Sequence, residues 1–118
     1  NAGDVNGDGY DDLIIGVPYA SICYVLFGTS QGFVDMNRGF TILGRNNGDL
    51  TGWSVSGAGD VNNDTYADLI VGAPASGSAG AVYVLLGASI MSDIYLASLS
   101  PSQGYVVNGV NRGDSIGL

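Results

Sequence analysis

Two stretches of this 118-residue chain carry oxygen-bearing side chains at the same spacing. Asp4, Asn6, Asp8, Tyr10 and Asp12 form the first, and Asp60, Asn62, Asp64, Tyr66 and Asp68 the second, each reading D-x-N-x-D-x-Y-x-D. Hard cations such as calcium take six to eight oxygens at about 2.3–2.6 Å from carboxylates, amide oxygens and backbone carbonyls. A tightly curled loop can turn positions 1, 3 and 5 inward, add the carbonyl of position 7, and close with the carboxylate of position 9. Curling needs residues that tolerate left-handed φ, and Gly7, Gly9 and Asn63 meet that need. Thr65 stands where the first loop has Gly9. A β-branched residue is strained there, so the second loop is expected to bend differently or to bind more weakly. Clusters of Asp, Asn and Gly are also ordinary turn material, and that is the plain alternative.

The donor set narrows the ion. With no His and a single cysteine, Cys23, the chain offers no imidazole or paired thiolate for zinc, copper or iron. Magnesium fits less well because it keeps its waters. Ile15 and Val71 occupy the twelfth loop position, where a helix-flanked calcium loop would need Glu. Three carboxylates and one amide give each loop a charge of about −3 before an ion arrives, so a bound cation should stabilise the fold by linkage.

The rest of the composition says what can hold such loops. All eleven acids are Asp; Glu, Lys and His are absent, and the cations are Arg38, Arg45 and Arg112. Losing Glu and Lys removes the main surface helix formers, while 20 glycines favour turns, so a helical bundle is excluded. A hydrophobic content of 46% is enough to build a core. The net charge of −8 argues against nucleic acid and against anionic membrane surfaces. The longest apolar stretch, Ala81 to Met91, is far short of the ~20 residues that a spanning helix needs. No signal peptide is visible, and without His the imidazole-dependent catalytic arrangements are gone, so a non-enzymatic role is expected.

The loops belong to an internal repeat. DVNGDGYDDLIIGVP (4–18) aligns with DVNNDTYADLIVGAP (60–74), YVLFG (24–28) with YVLLG (83–87), and Phe40 to Gly44 with Tyr105 to Gly109. The offset grows along the chain, which places small insertions between strands. Each unit reads as four short strands: Gly52 to Ala58; Leu13 to Val17 or Leu69 to Ala73; Tyr24 to Phe27 or Val82 to Leu86; and Phe40 to Leu43 or Tyr105 to Val107. The runs at Leu13 and Leu69 are continuously apolar, so both of their faces are expected to be buried. Gly16, Pro18, Gly72 and Pro74 are expected to end those strands by turn chemistry. Ile90 to Leu99 has a loose helical spacing, with a plugging loop or a single turn as the alternatives. Four strands in about 60 residues, repeated, favour β-propeller blades over a β-solenoid. The expected organisation is one unit over 1–59 that starts within a blade, and a second over 60–118 that ends before its blade closes. Two blades expose two flat apolar faces, so either further blades of the same chain or identical copies completing a ring should cover them.

The two loops, the triplets Gly16-Val17-Pro18 and Gly72-Ala73-Pro74, and the segment GWSVSGAGDV (52–61) together resemble the FG-GAP repeats of integrin α-subunit propellers and of bacterial surface and secreted proteins. The resemblance covers essentially the whole chain, and FGTSQGF (27–33) is more similar to bacterial members. It implies an all-β fold of four-stranded antiparallel propeller blades with calcium loops between first and second strands. It also implies that the ten loop residues ligate two calcium ions per chain. One departure is that Thr51 and Ile116 replace the Phe of the Phe-Gly pair.

Other features have plainer readings. Arg112-Gly113-Asp114 spells an adhesive tripeptide, but Asn47-Gly48-Asp49 is its counterpart, so Gly-Asp is a repeat feature. Cys23 is expected to be a small buried hydrophobe, Asp11 a solvated residue, and Asp49 and Asp114 turn or cap residues. Tyr10, Tyr24, Tyr66 and Tyr83 recur at repeat positions and are expected to pack in the core. The functional reading is a calcium-binding module for extracellular adhesion or scaffolding, since extracellular calcium modules work at about 10⁻⁴–10⁻³ M. The alternatives are an accessory domain of a secreted hydrolase and a lectin-like sugar binder, with protein or glycan ligands unspecified.

Overall fold

The computed structural model describes residues 1–33 and 37–118. Eight strands follow in order: β1 (Leu13–Val17), β2 (Ile22–Leu26), β3 (Gly39–Leu43), β4 (Ser54–Gly59), β5 (Asp68–Ala73), β6 (Ala81–Leu85), β7 (Ile94–Tyr95) and β8 (Gly104–Asn108). Two single 3-10 turns, Pro18–Ala20 and Leu96–Ser98, are the only helical elements among the described residues. The strands form two sheets, ordered β1-β2-β3-β7 and β4-β5-β6-β8. All pairings are antiparallel except β3 with β7. The chain is thus all-β, with the propeller-blade arrangement that the repeat implied, and the loop at 60–67 lies between the first and second strands of its sheet. The Ile90 to Leu99 segment becomes β7 plus one 3-10 turn rather than a helix. Its Ile94 and Leu96 are buried, and Asp93 Oδ1 accepts the Thr41 N–H at 2.8 Å.

Strand alternation puts one face of each sheet into a shared core. Ile14, Cys23, Val25, Phe40 and Ile42 from the first sheet meet Leu69, Val71, Ala73, Ala81, Tyr83 and Leu85 from the second in one buried cluster. Each large aliphatic or aromatic side chain buried there contributes about 1.5–3 kcal/mol. The second faces fare differently from expectation. In β5 only Ile70 is substantially exposed, whereas in β1 only Ile14 is buried, and Ile15 and Val17 are 38% and 37% exposed. The reason is position: β5 lies between β4 and β6, while β1 forms an edge, and no sheet among the described residues covers its second face. The tyrosines also correct the core reading. Tyr83 is buried, but Tyr24 and Tyr66 are half-buried and Tyr10 is 44% exposed.

Gly16 and Gly72 lie inside β1 and β5 rather than ending them. A Cβ on Gly16 would collide with the carbonyl of Gly52, and one on Gly72 with that of Gly117. The segment that leaves each sheet is laid across a glycine, which lets backbone approach backbone. This contact fixes how the second sheet sits on the first.

Candidate metal centre

Each loop is wound around its own carboxylates. In the first, Asp4 Oδ1 accepts the N–H of Asp8 at 3.0 Å and Asp4 Oδ2 that of Gly9 at 2.8 Å. Asp8 Oδ1 accepts the Tyr10 N–H at 3.0 Å, and the Asn6 amide donates to Asp8 Oδ2 at 3.2 Å. In the second, Asp60 accepts from Asp64 and Thr65 at 3.0 and 2.8 Å, Asp64 accepts from Tyr66 at 3.0 Å, and Asn62 donates to Asp64 at 3.1 Å. Short acceptor side chains that satisfy nearby N–H groups are what make Asp and Asn turn formers. The φ angles match as well: +74° and +91° at Gly7 and Gly9, +60° and +78° at Asn63 and Thr65. Thr65 therefore adopts the glycine bend instead of changing it. The expectation of a differently bent second loop is corrected, and the strain stays at Thr65.

The ninth position does different work. Asp12 is buried, and its two oxygens accept the N–H groups of Val5 at 2.8 Å and Gly28 at 2.9 Å. Asp68 repeats this with Val61 at 2.8 Å and Gly87 at 2.9 Å. These carboxylates tie the loop to the turn after the third strand of the repeat, and each oxygen keeps a lone pair beyond the one in use. The glycines were visible in the sequence as the last residues of YVLFG and YVLLG, but their partner was not.

Electrostatics acts in opposite senses on two of these carboxylates. Burial pushes the Asp12 carboxyl above its ordinary value; the Gly28 and Val5 hydrogen bonds oppose this, and Asp8 and Asp4 add repulsion. At exposed Asp60 desolvation also pushes upward, but hydrogen bonds from Thr65, Asp64 and Asn63 together outweigh it and hold the carboxyl below its ordinary value. Cys23 sits in the core with its thiol pushed up to about 12 by burial, which makes it an inert hydrophobe.

Asp4, Asn6 and Asp8 are thus brought together on the first loop and Asp60, Asn62 and Asp64 on the second, while Asp12 and Asp68 point into the fold. Among the described residues no three acidic or cysteine side chains gather tightly enough to enclose an ion. The donor set is all oxygen and anionic, so its chemistry fits a hard cation. The loops also touch: a Cβ on Gly7 would strike the Tyr66 ring, and the Ala67 N–H donates to the Asp4 carbonyl at 3.0 Å. Of the other candidates, Asp11 is exposed, and Asp114 caps the Asn111 N–H at 2.7 Å. Asp49 is buried, with Oδ2 lacking a partner.

Paired four-stranded sheets stacked through glycine contacts, with a loop before the second strand, define a propeller-type repeat module. The FG-GAP repeat matches residues 1–35 and 51–85, and the chain belongs to the FG-GAP repeat family. It is 37% identical to integrin alpha pat-2 of Caenorhabditis elegans over 71% of its length and 32% identical to integrin alpha-4 of Xenopus laevis over 73%. Phosphatidylinositol-glycan-specific phospholipase D of Dictyostelium discoideum is 29% identical over 97% of the chain. The chain spans only 15%, 8% and 9% of the phospholipase, pat-2 and alpha-4 relatives, respectively.

Proposed function

We propose that this chain is a calcium-stabilised propeller module that acts by binding or scaffolding outside the cytosol. Two ions per chain would be held, one by Asp4, Asn6, Asp8, Asp12 and the Tyr10 carbonyl, the other by Asp60, Asn62, Asp64, Asp68 and the Tyr66 carbonyl. The observation that carries this reading is the duplicated hydrogen-bond set of the loops, kept even where Thr65 must adopt a strained φ of +78°. An ion there would offset the repulsion among the carboxylates and stabilise the fold by about 2.7 kcal/mol at a hundredfold excess over Kd. The extracellular setting follows from the concentrations at which such modules bind. Thermal melting with calcium and with chelator tests it: calcium should raise the Tm of the parent, and Asp8→Ala and Asp64→Ala should each lose part of that rise. Equal calcium-dependent shifts in parent and variants would sink the assignment.

The partner reading rests on the repeat. The covered face of the first sheet, Ile14, Gly16, Cys23, Val25, Phe40 and Ile42, corresponds position by position to Ile70, Gly72, Val82, Val84, Tyr105 and Val107 of the second. Of these, Ile70, Tyr105 and Val107 are 36%, 50% and 49% exposed. That face is shaped to receive another unit, from the same chain or from an identical copy. A second functional reading, an accessory module beside a catalytic domain, is favoured by the match to a phospholipase D that is much longer than this chain. In either reading the chain itself binds rather than catalyses.

A further inference from the structure

The connection from β6 to β8 leaves an open cleft of about 510 Å³ whose walls include Arg45, Tyr83, Leu96, Leu99, Pro101 and Val106. That volume lies within the range of small-molecule sites, about 300–1,000 Å³. Two groups in it lack partners. The Tyr83 hydroxyl is buried and makes no hydrogen bond, an arrangement that costs stability until a partner arrives. Arg45 is one of three cations in a chain of net charge −8, is exposed, and makes no hydrogen bond or ion pair among the described residues. Its planar guanidinium pairs best with a carboxylate gripped through two parallel N–H donors. Leucine, proline and valine side chains supply an apolar wall and no competing anion.

We propose that this cleft binds a small organic carboxylate with an apolar body, the carboxylate paired with Arg45 and the body held between Leu96, Leu99, Pro101 and Val106. A polar atom of the ligand reaching Tyr83 would give that hydroxyl the partner it lacks. The site is separate from both loops and does not depend on a bound cation.

The test is an NMR titration of the whole chain with 3-phenylpropionate, and with 3-phenylpropanamide as its neutral counterpart. Saturable shift changes centred on residues 96–106 and Arg45 are expected with the acid, and binding of the amide should be at least about tenfold weaker. Arg45→Gln, an exposed change that spares the core, should weaken the acid about tenfold. No saturable binding, equal binding of acid and amide, or full affinity in Arg45→Gln would each overturn the proposal.

Discussion

Loop 4–12 and loop 60–68 differ at Gly7/Asn63, Gly9/Thr65 and Asp11/Ala67, yet their six shared hydrogen bonds agree to within 0.1 Å. The carboxylates set the path of the backbone, and residue preference yields to them. The apolar faces behave in the opposite way: Cys23 is fully buried and its counterpart Val82 is only half-buried. Polar self-satisfaction inside a loop makes the repeats alike, whereas burial depends on what lies outside the unit.

The strongest way to break the likeness is to remove the buried clamps. Asp12→Ala leaves the N–H groups of Val5 and Gly28 without acceptors and should cost about 4 kcal/mol in urea unfolding. Asp68→Ala should cost less, because Val61 is 49% exposed where Val5 is fully buried, and water can reach its N–H. Equal costs would mean that exposure at Val61 does not matter. Next come the calcium-dependent shifts lost in Asp8→Ala and Asp64→Ala. Smaller still is the glycine exchange. Thr65→Gly should stabilise by about 1 kcal/mol, and Gly9→Ala should destabilise by a similar amount. Nothing lies near a Cβ at Gly9, so φ alone is tested there, and differential calorimetry would read both. Least energetic is a labelling contrast between the faces. Iodoacetamide at pH 8 should leave native Cys23 unmodified, its thiol being held at about 12, and should label Val82→Cys in a Cys23→Ala background. Rapid labelling of native Cys23 would show that the first face opens.

Much of this was legible beforehand. Repeat spacing located β1, β2, β3, β4, β5, β6 and β8, because turn residues and apolar runs are local signals. Loop acceptors were legible for the same reason, since Asp4 and Asp8 bond to N–H groups two to five residues away. What was hidden is non-local. Nothing in the sequence shows that Asp12 reaches Gly28, that Gly16 meets Gly52, or that Asp93 bonds to Thr41. The burial of β1 was overestimated because an apolar run reports what a strand could bury, not what is there to cover it.

The parallel pairing of β7 with β3 also orders events in time. Thr41 and Asp93 are 52 residues apart, and β7 pairs with β3, so the first sheet gains its fourth strand only from the second unit. During folding the outer edge of β3 would wait unpaired until the segment at 94–95 reaches it. The unit of repetition in this protein is therefore not its unit of folding, and cooperativity should span both sheets.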